Sequence, residues 1–101
     1  MNVTELESSQ KGLTGLVGYT SPISFIELVQ KLGTPTNGDT DGKTHNEWVL
    51  DIDGCVVVLY DYKWDGSNPG KHTWHIGGHG AMAVVALERF LRIPCTTPRA
   101  F

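Results

Sequence analysis

Hydrophobic and polar positions alternate most clearly in EWVLDIDGCVVVLYDYK, residues 47–63. Trp48, Leu50 and Ile52 alternate with Glu47, Val49, Asp51 and Asp53. Asp53-Gly54 follows, a dipeptide favoured in two-residue hairpin turns because both central residues there need positive φ. Pairing Ile52 with Cys55 sets Leu50 opposite Val57 and Trp48 opposite Leu59. One face is then wholly apolar: Trp48, Leu50, Ile52, Cys55, Val57 and Leu59. The other, with Glu47, Val49, Asp51, Val56, Val58, Tyr60 and Tyr62, is mixed. A slip of one residue would bury Glu47 and Asp51, which fixes the register.

Two segments have helical spacing instead. Ser24 followed by Glu27 is a capping box, and Ile23 and Leu28 stand at the positions of a hydrophobic staple. Phe25, Leu28, Val29 and Leu32 give one buried stripe, which Gly33 and Thr34-Pro35 end. After Gly80, the residues Ala83, Val84, Leu87, Phe90 and Leu91 form a second stripe, with Arg89 and Arg92 suited to the negative end of the helix dipole and Pro94 as the stop. Met82, Val85 and Ala86 fall off that stripe, more apolar surface than a solvated helix face requires.

HTWHIGG, residues 72–78, resumes the period of two, so a third antiparallel strand is expected beside the second strand of the hairpin. GLVGY, residues 15–19, reads as an added edge strand, and residues 1–12 as a flexible arm. Residues 34–46 and 63–71 are turn-dense loops, the first long enough for a flap. The expected fold is a single α+β domain over 1–101: a small antiparallel sheet of three or four strands, built on the Asp53-Gly54 hairpin and packed against two helices.

Composition narrows the function classes. A net charge of −3 with only eight Lys and Arg argues against duplex DNA, whose phosphates demand clustered positive charge. No run approaches the roughly 18 apolar residues of a membrane-spanning helix, and Met1 to Lys11 lacks the apolar core of a secretion signal, so a cytoplasmic protein without a membrane partner is expected. Cys55 and Cys95, without a CxxC spacing, are expected to be reduced. With 40% hydrophobic residues against 19% charged, and the off-stripe surface of the last helix, the chain is expected to form a homo-oligomer.

The chemistry concentrates in WHIGGHG, residues 74–80. Glycines joining a strand to a helix N-terminus let amide groups face an anion, so Gly77, Gly78, His79 and Gly80 are candidate phosphate ligands. The nearby aromatics Tyr60, Tyr62, Trp64 and Trp74 form a candidate base-stacking platform, with the last three as the expected stacking residues, while Lys71 and His75 add polar contacts. The competing reading is structural: the same glycines serve positive backbone angles in a sharp turn, and neither a P-loop nor a dinucleotide fingerprint is present. His72 and His75 on one strand point to opposite faces, and no HExxH or CxxC accompanies them, so no metal site, no cofactor and no catalytic residue is assigned. Together the residues suggest a non-enzymatic protein that sequesters a small phosphorylated ligand. The alternatives are a protein-interaction inhibitor acting through an apolar helix or sheet face, and a metal-dependent hydrolase using the histidines.

EWVLDIDGCVVVLYDYK followed by WHIGGHG and a helix, about residues 46–91, resembles small bacteriophage accessory proteins. The resemblance implies an anti-defence role in the host cytoplasm, by blocking a protein or by sequestering a nucleotide signal.

Overall fold

A computed structural model describes residues 3–7, 12, 14–36, 46–61 and 73–97. The hairpin forms as its pattern requires. Strands β3 (Glu47–Ile52) and β4 (Cys55–Tyr60) pair with Ile52 opposite Cys55, Leu50 opposite Val57 and Trp48 opposite Leu59. Asp53 (φ 53°) and Gly54 (φ 87°) make the turn, and the Gly54 amide donates to Asp51 Oδ1 at 2.7 Å. Beyond the far end, the Asp61 amide donates to the Asn46 carbonyl and the Asn46 amide donates to Asp61 Oδ2, closing the hairpin with two further bonds at 3.2 and 3.0 Å.

The sheet is larger than the pattern suggests. Among the described residues it has six strands, all antiparallel, in the order β1-β3-β4-β5-β2-β6. Strand β1 (Val3–Glu5) lies within the stretch expected to be an arm, yet pairs with β3 along one edge. Strand β2 (Gly15–Thr20) is interior rather than an edge, held between β5 (His75–Gly78) and β6 (Cys95–Thr96). The fold class stands as α+β, an antiparallel sheet with two helices, while the expected three or four strands are too few. The additional strands are β1 and β6, three and two residues long, whose pairing is made entirely by distant partners.

Helix α1 (Phe25–Leu32) starts where expected. Ser24 Oγ accepts from the Glu27 amide at 3.1 Å, Ile23 and Leu28 of the staple are both buried, and Gly33 ends the helix at φ 84° with its amide on the Val29 carbonyl. Helix α2 (Met82–Leu91) buries Ala83, Val84, Leu87 and Leu91 against the sheet, and Arg92 closes it in the left-handed conformation. The core fills the space between the helices and one sheet face, with Trp48, Leu50, Ile52, Val57, Leu59 and Ile76 contributed by the strands.

Two tryptophans fasten α1 at its two ends. The Trp74 indole donates to the Ile23 carbonyl at 2.9 Å, just before the helix, and the Trp48 indole to the Gly33 carbonyl at 3.0 Å, just after it. Phe25 of α1 packs on both, with ring centroids 6.4 Å from Trp74 and 5.9 Å from Trp48. Each large ring thus supplies apolar burial while its one polar atom donates to a backbone carbonyl flanking the helix. Lys31 Nζ, donating to the Leu91 carbonyl at 3.2 Å, ties the two helices together.

Candidate functional site

On the sheet face turned away from the helices, side chains of different strands meet, with Val49 and Val58 buried and Tyr19, Glu47, Tyr60 and His75 half-buried. Pairing aligns Tyr19, His75, Tyr60 and Glu47 in one row across β2, β5, β4 and β3. The His75 ring stands edge-on to Tyr19 (centroids 5.0 Å apart, 88° between planes) and tilted against Tyr60 (5.4 Å, 60°). The neighbouring row runs Leu16, Gly77, Val58 and Val49. Gly77 leaves a gap in it: a Cβ there would lie 3.3 Å from Val58 Cβ and 3.5 Å from Tyr60 Cε1.

That gap is the floor of a groove of about 270 Å³. Val58 and Gly77 form its base, Tyr60 and Glu47 one wall, and Gly12, Thr14, Gly15 and Leu16 the other. Among the described lining residues Glu47 is the only charged side chain. Burial, then the neighbouring Tyr19 and Glu47, push the Tyr60 phenol above its ordinary value, so the hydroxyl is protonated and available as a donor at neutral pH. Burial also holds the His75 imidazole below its ordinary value, so the ring is a neutral aromatic partner there.

The expected ligand residues divide among three places. Trp74 lies fully buried beside Phe25 and Trp48 and offers no face to a base, which corrects its assignment as a stacking residue. Gly77 and Gly78 are not part of a loop at the helix mouth: both are buried inside β5, paired with β4 on one side and β2 on the other, so their amides belong to the sheet ladder. Nor do they serve positive angles. The described glycines with positive φ are Gly12, Gly33 and Gly54. Gly78 is needed for space instead, because its Cβ would collide with the Ala83 Cβ of α2.

His79 and Gly80 are exposed at the start of α2. The Ala83 amide donates to the Gly80 carbonyl and the Val84 amide to the Ala81 carbonyl, each at 3.1 Å, so the first helical turn is tight and no side chain caps it. His79 does not line the groove but lies close to Gly12, which does: a Cβ on Gly12 would be 3.9 Å from His79 Cε1. Tyr62, Trp64 and Lys71, like His45, His72, Asp65 and most of the expected flap, lie outside the described residues. Among the described residues no three His, Cys, Asp or Glu side chains come close enough to hold a metal ion, and Cys55 and Cys95 are not bridged.

Tyr60 belongs to the aromatic platform expected beside the glycine motif, whereas Glu47, Thr14 and Leu16 are groove residues that the motif did not indicate. The hairpin register already placed Glu47 and Tyr60 side by side on the outer face, so that half of the groove had a signal. Thr14 and Leu16 arrive through the β2–β5 pairing, for which the sequence carries none. No helix is long and apolar enough to cross a membrane among the described residues. No protein-family model, curated protein or solved structure matches the chain.

Proposed function

We propose that the protein is a non-enzymatic binding protein that sequesters a small nucleotide-like ligand in the outer-face groove. The observation that carries this reading is the opening over Gly77, floored by bare backbone and walled by the Tyr60 ring. Ligand pockets usually measure about 300–1,000 Å³. At about 270 Å³ the groove suits one nucleoside-sized group rather than a dinucleotide. A flat ring rests against Tyr60, taking over the stacking role that Trp74 is too buried to play. A phosphate leads toward His79, Gly80 and the start of α2, where amide groups and the helix dipole favour negative charge. Tyr62, Trp64 and Lys71 remain proposed contacts of the same ligand, and His75 supports Tyr60 from behind. The resemblance to phage accessory proteins supplies the setting, a nucleotide signal of host defence withdrawn from circulation in the host cytoplasm.

Calorimetric titration with a panel of linear and cyclic nucleotides tests the reading. Binding by the wild-type protein, weakened at least about tenfold in Gly77→Ala, supports it, because an added methyl occupies the floor without requiring a new backbone conformation. Absence of heat across the whole panel with folded protein rejects it.

Met82, 67% exposed on the first turn of α2, favours a second reading in which that surface binds a protein, a further copy of the chain included. Val85 and Ala86, the other members of that expected patch, are half-buried. Light scattering is expected to show an oligomer that Met82→Asp converts to a smaller species; a wild-type monomer removes the self-association form of this reading.

A further inference from the structure

The groove reading can be carried to the kind of ring it selects. Glu47 is its only charged described wall residue, and it stands directly across the β3–β4 pair from Tyr60. A carboxylate only accepts hydrogen bonds, and it offers about four lone-pair sites, so it accepts from a ligand in addition to whatever it accepts from the protein. Two oxygens side by side match two N–H donors side by side on one ring edge, and such charge-assisted paired bonds are the strong ones. A ring that presents acceptors at that edge would instead bring its lone pairs against a negative charge.

Resting on the proposed base-binding groove, we infer that Glu47 makes it selective for a planar nitrogen heterocycle with adjacent ring N–H and exocyclic amino donors, the edge that guanine presents and adenine does not. Tyr60 supplies the stacking face, which any base satisfies, and Glu47 supplies the choice. The same charge orients the ligand. A phosphate is repelled from the Glu47 wall and so lies at the opposite end, towards Gly12 and His79, which agrees with the ring-to-phosphate direction set by the helix start. The Tyr60 phenol, pushed up first by burial and then by Tyr19 and Glu47, shows that the Glu47 charge is felt at the stacking wall.

Guanosine, inosine and adenosine, titrated separately into the wild-type protein and Glu47→Gln, decide the matter. These three share the sugar and differ at the edge that meets Glu47: guanosine offers both donors, inosine the ring N–H alone, adenosine no ring N–H. Guanosine is expected to bind most tightly, ahead of adenosine by roughly 5- to 150-fold, the range of one good paired contact, with inosine between them. In Glu47→Gln, whose side-chain amide sets one acceptor beside one donor, guanosine is expected to lose that advantage while adenosine, whose edge sets an amino donor beside a ring acceptor, binds at least as tightly as to the wild-type protein. Equal binding of all three to the wild-type protein overturns the selectivity and leaves the groove reading intact. No binding by any of them overturns both. If Glu47→Gln does not fold, the wild-type ranking alone decides: adenosine equal to or tighter than guanosine refutes the inference.

Discussion

Two adjacent glycines show how different demands share one residue type. Gly77 faces the outer side, where a Cβ meets Val58 at 3.3 Å, a contact that a small shift relieves. Gly78 faces the core, where a Cβ collides with Ala83 on a helix packed into place. Neither has positive φ, so alanine is permitted by the backbone at both and only the surroundings differ. Gly78→Ala is expected to destabilise by about 1–3 kcal/mol or more, the cost of overpacking a filled core. Gly77→Ala is expected to stay within about 1 kcal/mol of wild type, because alanine also lowers the entropy of the unfolded chain and offsets the crowding. Urea melts of the two variants test this, and a larger loss at Gly77 would contradict the placement of the two faces. The glycine run was visible in the sequence, its reason was not: glycine has the same letter whether it supplies an unusual angle, an exposed amide or an absent methyl, and the choice depends on what a distant segment puts beside it.

At the scale of elements, legibility followed the range of the interaction. The β3–β4 register was readable because a two-residue turn and a period of two are local, and α1 because Ser24, Glu27 and Gly33 cap it within its own sequence. Strands β1 and β6, three and two residues long, carry no period, and β2 breaks its own with a register shift between Leu16 and Gly18. These are the strands that complete the groove wall and the sheet edges, which is why half the candidate site was hidden. The start of α2 offers a test of the same kind. It lacks a capping side chain, and Gly80 has open space around its Cβ position. Gly80→Asp, one residue before the N-cap Ala81, is expected to stabilise the protein by a few tenths to about 1 kcal/mol, by complementing the dipole. If a phosphate occupies that end, the same variant weakens nucleotide binding while leaving nucleoside binding nearly unchanged, because only the phosphate meets the added charge. Equal loss for nucleotide and nucleoside would place the phosphate elsewhere.

For the whole molecule, the two faces of the sheet carry different kinds of stability. The helix-covered face holds the buried apolar core, whose contribution does not depend on pH, whereas the outer face sets a titratable ring, His75, between Tyr19 and Tyr60 with Glu47 beyond. Burial lowers the folded-state pKa of His75 below its ordinary 6.5, so the folded protein resists a proton that the unfolded chain accepts. The unfolded state therefore binds more protons as pH falls through about 6.5, and by linkage stability declines with it. The contribution is complete above 6.5, is lost progressively on acidification, and levels off below the folded-state value. Melting temperatures at pH 8 and pH 5 are expected to differ more for the wild-type protein than for His75→Phe, which keeps an aromatic ring against both tyrosines and cannot take the proton. An equal drop in the two would mean that His75 accepts its proton in the folded protein as readily as in the unfolded chain, and that the outer face is wetter than the ring packing of Tyr19, His75 and Tyr60 implies.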